Sequence, residues 1–297
     1  MVRSMPRNLA EPEARLRSHV QILAGLVGER NSSRPSALDA TRAYLAKQVM
    51  DLGLQVIEHP YEISCRTAIN LEVVIPGAKS DWPCLIVGAH YDTAPGTPGA
   101  DDNASAVATL LEIIASLRTA PLRRTLRCIF YDCEEPPHFA LGEMGSEHDA
   151  RMRFKRKEAI HGMICLESIG YFPPTVPDSV HRPGWISWIQ RLIGGRHLVI
   201  VSNLSSISFG FPFVLRFLTS GIVACLPAAL PERIHAISLS DHRSYWALGY
   251  RALMVTDTAM FRNPNYHMPG DLPDTLDYPR MAKIAQILTR AIGRTCA

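Results

Sequence analysis

The chain has 297 residues, 47% of them apolar, which is enough to bury one large core and within reach of a single α/β domain. Its 31 Lys and Arg residues against 28 Asp and Glu give a formal charge of +3, with no arm or face basic enough to mark a nucleic-acid footprint. No segment reaches the ~18 continuous apolar residues of a membrane span, and the basic start, Met1 to Arg7, lacks the apolar stretch of a signal peptide. The expectation is a soluble, reduced, cytoplasmic protein with neither nucleic acid nor membrane as partner.

Apolar residues at helical spacing predict helices over 9–27 and 37–52, the second stopped at Gly53. Runs rich in β-formers follow at 69–75, 84–89, 126–131, 163–166, 198–201 and 252–255. Helical patterns lie between them, clearest from Ala104 to Leu117, where Val107, Leu110, Leu111 and Ile114 share a face. Continuous apolar strands alternating with amphipathic helices imply a largely parallel, mixed central sheet covered on both faces, a three-layer α/β/α sandwich. Residues 171–237 depart from this pattern, being rich in Pro, Ser and aromatic side chains. Within a single domain spanning 1–297, that stretch is expected to elaborate the substrate pocket. Trp185, Trp188, Phe209, Phe211, Phe213 and Phe217 would form either a pocket wall or ordinary helix packing. The cysteines at 65, 84, 128, 133, 165, 225 and 296 form no C-x-x-C pair and read mostly as buried small hydrophobes.

Chemistry-bearing residues follow the predicted strands directly, where ligands gather in open α/β sheets. The run 84–89 leads into His90 and Asp92, 126–131 into Glu134 and Glu135, and 163–166 into Glu167. Imidazole and carboxylate are zinc ligands, and two neighbouring cations need a carboxylate between them to screen their repulsion. Asp102 is the candidate bridge, although at the predicted start of the 104–117 helix it could equally be an N-cap. Asp92, two residues beyond His90 on the same strand face, is placed to orient that imidazole. Adjacent Glu134 and Glu135 leave an extended backbone in opposite directions, so one can grip metal while the other reaches a water. Such a buried like-charge pair is costly unless a cation compensates it. No G-x-S-x-G elbow occurs, which disfavours a serine hydrolase.

The blocks Gly88-Ala89-His90-Tyr91-Asp92, Gly99-Ala100-Asp101-Asp102-Asn103-Ala104-Ser105, Asp132-Cys133-Glu134-Glu135, Gly145-Ser146 and Tyr266-His267-Met268-Pro269-Gly270-Asp271 resemble the co-catalytic dizinc aminopeptidases of metallopeptidase family 28. The resemblance runs from about the second helix to the C-terminus in the family's order and spacing. It implies one Zn2+ held by His90 and Glu167, a second held by Glu135 and His267, and Asp102 bridging them. Glu134 would be the general base, Tyr266 would stabilise the tetrahedral intermediate, and the Asp102–Asn103 peptide would be cis. At the fourth ligand position many relatives carry Asp, whereas this chain has Glu167, one methylene longer. The implied activity is release of N-terminal residues from peptides with a free N-terminus. The alternatives are a one-zinc glutaminyl cyclase, which shares the fold and a motif like Ser240-Asp241-His242, and a non-catalytic peptidase-like binding domain.

Overall fold

The computed structural model describes residues 10–177, 180, 184, 194–221 and 223–297. Trp185 and Trp188 lie outside the described residues. Two helices, α1 (Ala10–Val20), which runs on in wider turns to Val27, and α2 (Pro35–Asp51), precede the sheet. Gly53 follows α2 at φ 78°, the left-handed stop that its position suggests.

Among the described residues, eight strands form one sheet: β1 (Val56–Glu62), β2 (Thr67–Ile75), β3 (Cys84–His90), β4 (Leu126–Tyr131), β5 (Ile160–Glu167), β6 (His197–Ser202), β7 (Ala224–Ala229) and β8 (Ala252–Thr256). Their order is β1-β2-β4-β3-β5-β8-β6-β7. The central run β4-β3-β5-β8 is parallel, so these strands deliver their C-terminal ends to one edge, while β1 and β2 pair antiparallel and β6 runs against β8 but parallel to β7. Every residue of β3 is buried, as expected of a strand covered on both faces. The two edge strands, β1 and β7, were not expected from the sequence. Each carries a proline, Pro60 or Pro227, which demotes a run as a strand candidate; β1 is also mostly polar, whereas β7 is apolar on either side of its proline.

Side chains alternate across the sheet. Leu85, Val87 and Ala89 point into a core roofed by α1, α2, α3 (Ala106–Leu117), α6 (Ile207–Ser220) and α8 (Tyr278–Thr295). Ile86, Ile129, Met163 and Cys165 point the other way, toward α5 (Gly145–Lys155) and α7 (His242–Trp246), with the short α4 (His138–Leu141) nearby in sequence. Phe209, Phe213 and Phe217 of α6 pack on the sheet in the first of these cores, and Phe211 faces solvent, so the described aromatic residues of the 171–237 stretch serve helix packing. All seven cysteines are free thiols and all but Cys65 are buried. No helix among the described residues is long and apolar enough to cross a membrane.

Two buried guanidinium groups organise the chain around the sheet. Arg153 of α5 binds Glu72 of β2 at 2.9 Å, Asp149 at 2.8 Å and Glu158 at 3.0 Å. Arg30, fully buried, donates to the backbone carbonyls of Tyr91 (2.7 Å), Pro98 (2.6 Å), Gly99 (3.0 Å) and Gly28 (3.1 Å), and so holds the segment after β3 in place. Arg30→Met would leave these carbonyls buried without a donor, and the expected loss is about 3 kcal/mol or more in chemical denaturation. A loss within ~0.5 kcal/mol of zero, typical of a surface substitution, would show that the guanidinium is not what fixes the segment.

Burial raises the Glu72 carboxyl, but His59, Arg153 and Arg127 outweigh it and hold the group well below its ordinary value of 4.5. A depressed carboxylate pKa contributes stability above the ordinary pKa and loses it as pH falls below that value. Glu72→Gln is therefore expected to unfold more easily than the wild type at neutral pH, and the gap should close as pH falls below 4.5. Thermal melts over that range measure it.

Candidate metal centre

β3 ends at His90, β5 at Glu167, and β4 runs into Asp132-Cys133-Glu134-Glu135 at the same edge. Arg66 grips the Asp132 carboxylate at 2.6 and 2.8 Å and the Ile69 N–H adds a third bond, so the turn carrying both glutamates is fixed from outside. The two oxygens of Asp92 accept the N–H groups of Glu134 and Glu135, each at 3.1 Å, and Asp92 Oδ1 also lies 3.3 Å from His90 Nδ1. Asp92 thus orients both the imidazole and the glutamate turn.

Asp102 sits in the segment between β3 and α3. It does not cap that helix: α3 begins at Ala106, and the Asp102 backbone, at φ −106° and ψ 92°, is non-helical. The Asp102–Asn103 peptide is cis, as the resemblance implied. Gly99, at φ 63°, turns the chain where a Cβ would come within 2.3 Å of Asp102 O, so no other residue fits without movement. Asp271 accepts the N–H groups of Asp101 (3.0 Å) and Asp102 (3.1 Å), tying this loop to the C-terminal block. Asn103 donates to Leu166 O at 3.1 Å and accepts from Ser168 N at 2.9 Å, which brings the end of β5 beside Asp102.

The residues singled out in the sequence converge. Asp102 Oδ1 lies 3.2 Å from His90 Nε2, which in turn lies 3.3 Å from Glu167 Oε2. The other oxygen, Asp102 Oδ2, lies 3.1 Å from His267 Nε2, and that nitrogen is 3.1 Å from Glu135 Oε2. One carboxylate therefore faces two separate trios, His90-Asp102-Glu167 and Asp102-Glu135-His267, each with ligand atoms close enough to share an ion. Glu134 approaches His90 Nε2 at 4.0 Å and forms with His90 and Glu135 a third group whose atoms lie close enough to share an ion. His267 is held at φ 57°, and Tyr266 stacks on its ring at 3.9 Å between centroids.

Both ring nitrogens of His90, Nε2 of His267, Oδ1 of Asp102 and Oε1 of Glu135 are buried without a hydrogen-bond partner. Buried polar atoms are normally paired, and this imidazole and carboxylate set is the one that zinc takes, so the residues fit a pair of divalent cations. The electrostatics agree. Burial drives the Glu134 carboxyl well above its ordinary range, with His90 opposing and Glu135 and Glu167 adding to the rise. Glu135 is pushed up to about 7 by burial and by Asp102. Asp102 goes the other way: burial raises it, but His267 and His90 together hold it well below the carboxylate range.

Three contributors near the centre were given no anchoring role from the sequence: Arg30, outside the quoted blocks, whose charge faces Asp92, Asp271, Asp102 and Glu135 at longer range, and Asn103 and Asp132, inside them. The Ser240-Asp241-His242 motif also belongs here. Ser240 donates to Glu167 Oε2 at 2.6 Å, and Asp241 is fully buried with neither oxygen hydrogen-bonded. Beside the trios lies a cavity of about 430 Å3 bounded by Asp102, Glu134, Glu167 and Tyr266. Its remaining walls are predominantly apolar: Val199 and Val201 of β6, Leu226 and Ala228 of β7, Met254 of β8, and Ile234, Ile237 and Leu239.

A model of Peptidase family M28 matches residues 70–180, the stretch that carries His90, Asp102, Glu134, Glu135 and Glu167. The uncharacterised protein YfbL of Escherichia coli (strain K12) is 33% identical over 291 residues, covering 95% of this chain and 87% of that protein. Leucine aminopeptidase 1 of Emericella nidulans is 24% identical over 227 residues, 72% of this chain and 52% of that protein. Among solved structures, BSAP, a zinc aminopeptidase from Bacillus subtilis, superposes with a TM-score of 0.76 at 14% identity, over 97% of this chain and 96% of that one. A glutaminyl cyclase from Porphyromonas gingivalis gives 0.71 at 18% identity, over 95% and 98%. The two solved structures share the α/β fold, and the sequence matches go further: the chain belongs to peptidase family M28.

Proposed function

We propose that this peptidase is a zinc-dependent aminopeptidase that removes N-terminal residues from peptides, with His90 and Glu167 holding one zinc, Glu135 and His267 the other, and Asp102 between them. The observation that carries the reading is the division of the Asp102 carboxylate, one oxygen toward each trio. The chemistry that bound zinc supplies is polarisation of a carbonyl and acidification of water. The other steps fall to the chain. Glu134, buried and at the cavity wall, takes a proton from the attacking water and delivers it to the departing amine, so the base of one half-reaction is the acid of the next. Asp92 holds Glu134 and His90 in register for this transfer. Tyr266, clamped against His267, borders the cavity where its hydroxyl reaches the tetrahedral intermediate. The cavity accepts the side chain of the N-terminal residue, with 171–237 supplying much of its wall, and its predominantly apolar lining away from the carboxylates favours apolar side chains. The similarity to leucine aminopeptidase 1 and to the zinc aminopeptidase BSAP supports this reading.

The experiment is Glu134→Gln assayed on aminoacyl reporter substrates with zinc restored after chelation. Turnover is expected to fall about 10²–10⁴-fold while zinc content and melting temperature stay unchanged. Near-normal turnover would remove Glu134 from the role of base.

A one-zinc glutaminyl cyclase remains the second reading because a solved cyclase shares the fold. Metal analysis separates the two. The wild type is expected to hold two zinc ions and His267→Ala one, whereas a single ion in the wild type would favour the cyclase.

A further inference from the structure

The helix α6 has two apolar faces. Phe209, Phe213 and Phe217 fill the sheet side, but Leu204, just before the helix, and Ile207, Phe211, Leu215 and Leu218 follow one another at steps of three or four residues along the outer side. These five are 45 to 61% exposed, a continuous stripe of large apolar groups on the scale at which surface patches mark interaction sites. The stripe lies in the helical layer on the face of the sheet opposite the apolar cavity.

Charge distinguishes among occupants. Neither α6 nor the neighbouring α8 contains an acidic residue, while the pair carries Arg216, Arg280, Lys283, Arg290 and Arg294. Arg280 is bound by Asp277, and Arg216 feels Arg294 as a like charge. A second copy docking about a two-fold axis would set this cationic face against itself. A stable interface between copies also needs ~800 Å² from each partner, more than a one-helix stripe of partly exposed side chains provides. An anionic surface meets both features, because apolar side chains enter the acyl boundary while arginines sit among the headgroups.

We propose that the outer face of α6, with the basic residues of α8 beside it, docks the protein peripherally on an anionic lipid surface. This departs from the expectation of no membrane partner, which rested on the lack of a spanning segment. A segment that lies on a bilayer needs neither the length nor the all-round apolarity of one that crosses it.

The test is co-sedimentation of the full chain with vesicles of phosphatidylcholine alone and of phosphatidylcholine and phosphatidylserine in equal parts. Binding is expected on the anionic vesicles, weakened by salt and about fivefold by Arg216→Ser, the effect of one cation near such a surface. The double variant Phe211→Ser, Leu215→Ser is expected to lose binding while keeping wild-type hydrolysis of a soluble reporter, which shows that it is folded. No binding of the wild type to either vesicle overturns the proposal, and so does undiminished binding of the double variant. A concentration-dependent dimer, measured by sedimentation without lipid and abolished in that variant, overturns it in favour of a second copy as the occupant.

Discussion

The constraint on which the site depends is the cost of gathering carboxylates away from water. Asp92, Asp102, Glu134, Glu135 and Asp241 are buried within reach of one another's charge, and Glu167 stands at their margin. Against them the chain sets two imidazoles and, at longer range, Arg30. Desolvation of ions costs several kcal/mol each, and like charges add to it. A peptide chain accepts such an arrangement where cations complete the balance, and the grouped side chains lie close enough to hold one.

Support for the cluster comes from outside it. The carboxylates at its heart are held by backbone N–H groups and by residues from distant parts of the chain, with Asp271 under the Asp102 loop, Asn103 against β5 and Arg66 on Asp132. These anchors leave both ring nitrogens of His90, Nε2 of His267, Oδ1 of Asp102 and Oε1 of Glu135 without a hydrogen-bond partner, whereas Glu167 accepts from Ser240. The parallel centre of the sheet accounts for the convergence, since β3, β4 and β5 end side by side.

Much of this was legible in the amino-acid order. A histidine or acid placed directly after an apolar run marks a strand end, and His90, Glu134, Glu135 and Glu167 all stood in that position. Asp102 was legible only as one of two things, a helix cap or a bridge, because both roles put an acid before a helix. The helix starting later, at Ala106, leaves its carboxylate turned to the histidines. Arg30 could not be found, since its partners are backbone carbonyls that have no residue identity. The edge strands escaped for another reason: one side of each is unpaired, which tolerates proline in both and polar residues in β1. For the aromatic residues of 171–237 the sequence left a pocket wall and helix packing open; Phe209, Phe213 and Phe217 pack on the sheet, while aliphatic residues of β6, β7 and β8 line the cavity.

The alternation of side chains in β6 and β8 separates two evolutionary pressures that usually act together. Leu198, Ile200, Leu253 and Val255 hold the helical layer, whereas Val199, Val201 and Met254, interleaved with them, face the cavity. A change at one of the latter alters the volume and shape of the cavity while the adjoining positions keep the layers joined. The cavity can therefore be remodelled by single replacements at every second position, without first acquiring compensating mutations in the helical layer.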